Sequence, residues 1–563
     1  MSVLDWVVLA GTLGFIVVYG TWKSRGVTKM ADYLRDDTLR WPTIGLSIMA
    51  TQASAITFLS TPGQAYADGM RFVQFYFGQP LAMIVIAAVF VPIYRRLNVY
   101  TAYEYLEHRF DARVRYLGAV LFLVQRGLAA GITIYAPSII LSAILGWPLR
   151  LVCAAIGVVV IIYTVSGGVR AVSQTQKQQM VVMLSGIFVA AVLIVFKLPE
   201  AVSLGNAVKV AGALDRMNAV SFELDFQSRY NFWSGITGGF FLALSYFGTD
   251  QSQVQRYLSG KSVAESRLGL IFNGVFKVPM QVGILFVGVL VFVFYLFTQP
   301  PLFFNSSVPE KLRETGHTAE LQALEGRYAQ AFEARRVAAE AYVASLDGAG
   351  DAEAAKGQLR QAAKAVDATR ADATALVKRA LPDTESRDTD YVFLSFVLKY
   401  VPAGLVGLLV AVILCAAMSS IASELSALGS TTVVDLYKRA FKRQTTDAHD
   451  LRASKLFTVL WGLVAIAFAF FAGLLENLIE AVNILGSIFY GTVLGLFVVA
   501  FFLRRVTATP VLVGALVAQA SVIALYFTSD LGFLWFNVVG CGIVVVVSLA
   551  LQAFSKPRAA AGA

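Results

Sequence analysis

GLSIMATQASAITFLSTPG, residues 45 to 63, decides the fold. Its ends read as an apolar run of membrane grade. Thr51, Gln52, Ser54, Thr57, Ser60 and Thr61 interrupt that run, and Pro62-Gly63 follows. A second stretch, GGFFLALSYFGTDQSQVQR (238–256), is broken in the same manner by Gly238-Gly239 and by Gly248-Thr249-Asp250. Backbone that leaves the helix at membrane depth is tolerated only where protein buries it or where it lines a cavity.

The rest of the chain makes membrane depth the right frame. Of 563 residues 57% are hydrophobic, with a mean hydropathy of +0.67, against about 45–50% apolar residues in soluble domains. Thirteen apolar spans are predicted near 4–22, 42–66, 73–94, 114–145, 150–166, 172–196, 231–254, 269–297, 391–425, 456–474, 481–503, 509–528 and 533–553. Each approaches the roughly 17 to 25 residues that cross a bilayer as a helix. Lys and Arg concentrate in alternate connections, among them Arg35/Arg40, Arg95/Arg96, Arg109–Arg115, Lys438/Arg439 and Arg504/Arg505. Positive charge is retained on the cytoplasmic side of short loops, which predicts the N-terminus outside, the C-terminus inside and a cytoplasmic tail at 556–563. Topology accounts for the net charge of +10, and no nucleic-acid partner is expected. The first span lacks a basic n-region and a small-residue cleavage site, so it reads as a retained helix. Cys153, Cys415 and Cys541 lie far apart in apolar spans, and His108, His317 and His449 are scattered. Neither a disulfide framework nor a metal or His-based catalytic centre is in view, and the chain is not read as an enzyme.

Residues 305–390 differ, being rich in Ala and charge. Leu321, Leu324, Tyr328 and Ala331 keep a three-four spacing. So do Ala352, Ala355, Leu359, Ala362, Val366, Ala373, Leu376 and Ala380, with DGAGD (347–351) between the runs. This predicts an antiparallel helical hairpin with a thin Ala-rich seam, placed outside by the charge count. It separates a first membrane part (1–304) from a second (391–555). An accessory hairpin without chemistry is the favoured role, and binding of a protein partner the alternative.

Among the charges inside apolar spans, Arg126, Asp250, Lys277 and Glu424 stand out. Such residues cost at least ~2.5–3.5 kcal/mol and mark functional sites. Glu424 stands in LCAAMSSIASEL (414–425), beside Ser419, Ser420 and Ser423. The two interrupted stretches are second and seventh of thirteen spans, so each opens a block of five helices, the arrangement that points to a secondary transporter's binding site.

The sequence resembles the sodium/solute symporters, nearest the iodide, monocarboxylate and multivitamin branch. FVPIYRRLNVYTAYEYLEHRF (90–110), GITIYAPSIIL (131–141), YTVSGGVRAV (163–172), GTDQSQVQRYLS (248–259) and STTVVDLYKR (430–439) carry the likeness. It implies an all-α integral membrane protein with the five-plus-five inverted repeat of the leucine-transporter type and an extra N-terminal helix. It also implies a sodium ion held by the carbonyls of Ala50, Ala53 and Ala416 and the hydroxyls of Ser419 and Ser420. Where relatives with a second ion or coupling carboxylate carry an Asp, this chain has Gln176, with Lys177 beside it. Ser423 and Glu424 are the remaining candidates there, and one sodium is expected. Positions lining the solute cavity in relatives correspond to Ser54, Thr57, Tyr76, Gln79, Ala243 and Lys277, with Tyr246 as an inner gate. A buried Lys277 suits an anionic solute such as a small carboxylate. The alternative is that Lys277 and Arg126 pair with Asp250 or Glu424 for structure alone.

The expectation is therefore a sodium-coupled symporter of the bacterial inner membrane that imports a small organic solute. A proton-coupled carrier, a neutral-solute (sugar-like) carrier of the same fold and a transporter-like sensor are the competing readings.

Overall fold

The computed structural model describes residues 1–23, 33–382, 388–441, 446–472 and 478–554. The tail assigned to 556–563 lies outside the described residues. The described chain is helical, its only β pairing an isolated bridge between Leu39 and Gly260. Among the described residues nine helices are long and apolar enough to cross a membrane, and two shorter apolar helices, Val3–Ile16 and Leu149–Ile162, accompany them. This is a multi-pass membrane protein.

The first interrupted stretch is two helices, α2 (Trp41–Gln52) and α3 (Ala55–Asp68), following α1 (Val3–Lys23). The chain leaves the helix at Ala53 (φ −81, ψ 79) and is extended at Ser54 (φ −77, ψ 172). Ser54 N then bonds Gln52 O at 3.1 Å instead of the helical acceptor Ala50 O, so a main-chain carbonyl is released at membrane depth. The second break has the same character. Helices α7 (Gly239–Gly248) and α8 (Gln251–Leu258) are separated by Thr249 and Asp250, and the Asp250 carboxylate caps α8 by accepting from Ser252 N at 2.9 Å.

Four long helices lie between or follow these breaks: α4 (Gln79–Val85, continuing through Ile86–Phe90 and Val91–Leu97), α5 (Ala112–Leu145), α6 (Leu149–Phe196) and α9 (Val263–Phe297). The helix α6 is two in effect, because Gly168 takes φ 57, ψ −162. A Cβ there would stand 2.8 Å from Tyr33 O. That corner separates the predicted 150–166 and 172–196 spans.

The predicted span 391–425 is corrected. The structure closes α12 (Thr389–Tyr400) before Pro402 and opens α13 (Leu405–Thr431) after Gly404, whose φ is 89. Pro402 has no N–H to continue the helix, and α12, at 12 residues, is too short to cross. Asp5 of α1 caps α13: its Oδ1 accepts from Gly404 N at 2.6 Å and Gly407 N at 3.0 Å. The stretch LCAAMSSIASEL thus sits in the buried middle of α13, not at a helix end. Helices α14 (Asp447–Ala469), α15 (Leu478–Phe502), α16 (Ala508–Thr528) and α17 (Leu534–Phe554) complete the domain.

The 305–390 region holds α10 (Thr318–Leu346) and α11 (Ala352–Ala380), turning through Gly348 and Gly350, both at φ 98. Leu321, Leu324 and Tyr328 pack against Val366, Ala373, Leu376 and Val377 in a small core of their own, while Ala339, Tyr342, Val343 and Leu359 join the main core. Arg335 Nη2 donates to Tyr295 O of α9 at 2.9 Å, and Arg360 Nε to Ala213 O at 2.7 Å. The hairpin is bound to the membrane domain along its length.

Candidate functional site

The break between α2 and α3 faces the serines of α13. Ser419 Oγ donates to Ala50 O at 3.0 Å and Ser420 Oγ to Thr51 O at 3.2 Å, all fully buried. These hydroxyls stand in for helical donors that the break has turned away. Ala53 lies at the break itself and Ala416 one turn before Ser420, both 0% exposed. The donor set is neutral carbonyl and hydroxyl oxygen, which a hard monovalent cation takes in place of its hydration shell. A hydroxyl that donates to a carbonyl in the absence of an ion can rotate and present lone pairs to one. Among the described residues no three His, Cys, Asp or Glu gather as a transition-metal site.

Gln176, on α6, adjoins this group. Its Nε2 donates to Ser423 Oγ at 2.7 Å, Thr51 Oγ1 at 3.0 Å and Ser419 O at 3.2 Å, and its Oε1 accepts from Ser47 Oγ. Three oxygens converge on one amide nitrogen, whose hydrogens carry partial positive charge. Lys177 is exposed and takes no part.

Beside the break lies a central cavity of about 90 Å³, room for several waters. Ser54, Thr57, Tyr76, Tyr246, Ser420 and Glu424 line it, together with Thr51, Gln52, Arg126 and Tyr490. Its charged end is one network. Arg126 of α5 is paired with Asp250 at the second break, reaches Glu424 Oε1 at 3.1 Å, and donates to Tyr490 Oη at 2.6 Å. Tyr490 Oη in turn donates to Asp250 Oδ2 at 3.3 Å. Tyr246 stacks under the guanidinium, 5.3 Å from its ring centroid, and its Oη accepts from Gln253 Nε2 at 2.7 Å. The network ties α5, the α7–α8 break, α13 and α15 together. Arg126 Nε and Glu424 Oε2 keep no partner.

Of the predicted solute positions, Ser54, Thr57 and Tyr76 are brought together, with Tyr246 beneath them. Gln79, Ala243 and Lys277 are buried outside the cavity walls. Gln79 Oε1 accepts from Gln52 Nε2 at 3.3 Å, and Lys277 stands behind Tyr76, its Nζ 5.5 Å from the ring centroid and without a hydrogen-bond partner. Of the two alternatives for the buried charges, Arg126 takes both Asp250 and Glu424, and Lys277 takes neither. The lining role of Arg126 and of Tyr490 was not read from the sequence. For Arg126 the signal was present, a guanidinium near the middle of an apolar span; Tyr490 offered none.

The profile of the family described as "SSF: Sodium:solute symporter family" matches residues 33–313 and 369–518. The chain belongs to the sodium:solute symporter family. The matched segments pass over 314–368, most of the helical hairpin. The chain is 35% identical over 274 residues to the human sodium/iodide cotransporter, covering 48% of this chain and 41% of that protein. It is 36% identical over 279 residues to human sodium-coupled monocarboxylate transporter 1, covering 48% and 45%. The chain spans under half the length of these two relatives. Against the sodium/sialic acid symporter NanT of Aliivibrio fischeri it is 26% identical over 562 residues, covering 97% and 92%. Among solved structures, a substrate-bound, outward-open Na⁺-coupled sialic acid symporter superposes with a TM-score of 0.76 at 22% identity, covering 99% of both chains. The fold of this family member is therefore that of the symporter; its relatives are transporters and not enzymes.

Proposed function

We propose that this chain is a sodium-coupled symporter that imports a small organic carboxylate by alternating access. The observation that carries the reading is the pair of α13 hydroxyls on the carbonyls of the α2–α3 break, Ser419 on Ala50 and Ser420 on Thr51. The sodium set is then Ala50, Ala53 and Ala416 carbonyls with the Ser419 and Ser420 hydroxyls. Neutral ligands bind sodium weakly enough to release it on the far side. Thirteen crossings in a five-plus-five inverted repeat, N-terminus outside, complete the reading, with α2–α3 and α7–α8 as the paired broken helices. The bacterial inner membrane is its place, in keeping with the full-length likeness to a bacterial relative.

The carboxylate follows from Arg126, not from Lys277. Arg126 lines the cavity with Nε free, while Lys277 lies behind Tyr76. Relatives named for sialic acid, monocarboxylate and iodide all carry anions. Arg126 already holds two carboxylates, so a solute anion must displace Glu424, and a sodium arriving at Ser420, one helical turn from Glu424, offsets the added charge. That electrostatic pairing is a source of coupling. One sodium is expected, because the Gln176 amide already satisfies Thr51, Ser423 and Ser419 O. Entry and release of a solute ask that Tyr246 and the Arg126 network part on one side of the cavity and Tyr76 on the other.

A second reading, proton coupling, draws on Glu424 Oε2, which has no partner beside a guanidinium already shared with Asp250. One experiment separates the two. In proteoliposomes, an inward sodium gradient at equal pH drives uptake of labelled lactate or N-acetylneuraminate and leaves galactose outside. Uptake that needs a pH gradient and ignores sodium favours the second reading; uptake of galactose alone overturns the carboxylate.

A further inference from the structure

A chamber of about 860 Å³ lies between the helical hairpin and the membrane domain, beside the contacts that hold the two together. It lies next to the central cavity: Ile479 of α15 faces the cavity and Glu480 the chamber, and Thr57 and Gln64 divide between them along α3. Seven residues of helix are about 10 Å. The chamber is therefore on the path between the hairpin side and the solute site.

Its walls hold guanidinium groups that keep N–H donors without a partner. Arg335 of α10 is 4% exposed, its Nη2 bound to Tyr295 O, and among the described residues its Nε has no partner and no carboxylate stands within ion-pair distance. Arg216, across the chamber, also lacks an ion pair and leaves Nε unpartnered. Arg370 of α11 pairs with Asp388 at 3.0 Å and leaves Nη1 free, and the buried Tyr328 Oη beside it is free too. Of the chamber's acids, Asp388, Asp215 and Glu480 are committed to Arg370, Arg360 and Arg229, and Asp68 accepts from Gln64. Asp367 stands exposed at the edge. Unpartnered guanidinium N–H groups on a wet chamber call for an acceptor bearing negative charge.

We propose that this chamber is a second binding site, for the carboxylate of an organic anion on its way to the central cavity. Arg335 and Arg370 from the hairpin and Arg216 from the membrane domain are its holding groups. The hairpin thereby gains a role in solute capture. The carboxylate class rests on the functional reading above, while the chamber's preference for anions stands on its own residues.

The test uses the full-length protein, whose three native cysteines are buried. Thr374 lines the chamber one turn beyond Arg370, and Thr374→Cys is labelled with the anionic sulfonatoethyl and the cationic trimethylammonioethyl methanethiosulfonates. The anionic reagent should react faster relative to glutathione-scale controls in solution, and lactate or N-acetylneuraminate should slow labelling at least about threefold. Arg335→Gln should remove that protection and Arg335→Lys keep it, which separates loss of charge from loss of docking. Protection should persist when Arg126→Gln disables the central cavity. No protection by either acid, with sodium-driven uptake intact, overturns the chamber site and leaves the transport reading standing. Protection in a protein that transports neither acid does the reverse.

Discussion

On the proposed reading, Gln176 stands where a second ion would need its ligands. Its amide nitrogen serves three oxygens at 2.7 to 3.2 Å, so Gln176→Ala leaves buried hydroxyl and carbonyl groups short of partners at about 1–3 kcal/mol. A lower melting temperature is expected, and sodium activation of the unaltered protein should fit a Hill coefficient near one. A coefficient near two would contradict the single-ion assignment. Arg126 is the costlier position. Removing it, as in Arg126→Met, strands Asp250 and Glu424 in the interior, a loss of ~3–5 kcal/mol by the behaviour of buried pairs. Adding Asp250→Asn and Glu424→Gln should recover expression and thermal stability without recovering uptake, read by melting and transport on the same preparation. The residue types of this network were visible in the sequence as charges in apolar spans. Their pairing was not, since Arg126 and Glu424 lie 298 positions apart and only packing brings them together. Lys277 misled for the same reason: periodicity does not say that Tyr76 stands between it and the cavity.

At the level of elements, both broken helices were legible, because a run that alternates Thr, Ser and Gln with apolar residues cannot stay a plain lipid-facing helix. The hairpin was equally legible from its three-four spacing and the Gly-rich turn. The boundary of the ninth span was misread, although VPAGL (401–405) carried both a Pro and a Gly. What decides that boundary is tertiary: the Asp5 carboxylate reaches across from α1 to cap α13. Asp5→Ala should cost about 0.5–2 kcal/mol through the lost cap. Gly407→Ala should act at the same joint, because its Cβ would lie 2.2 Å from Asp5 O and force the two helices apart. Cross-linking between cysteines placed on α1 and α13 would register the separation; unchanged cross-linking in Gly407→Ala would contradict the contact.

Across the whole molecule, α3 and α15 line both the central cavity and the chamber, and the proposed sodium oxygens and the Arg126 network stand at the cavity end of that path. On the proposed reading sodium joins α2–α3 to α13, the Arg126 guanidinium ties the opposite broken helix to α5, α13 and α15, and the solute takes the cavity between them. On that reading, binding of ion and solute together changes how the two broken helices pack, which is the physical content of alternating access. The central claim is that Ser419 and Ser420 hold the driving ion, and the most direct measurement is the sodium dependence of carboxylate uptake in proteoliposomes carrying Ser419→Ala or Ser420→Ala. Loss of one hydroxyl ligand worth ~1–2 kcal/mol should raise the half-activating sodium concentration by about tenfold in each variant. An unchanged sodium curve in both would contradict the account.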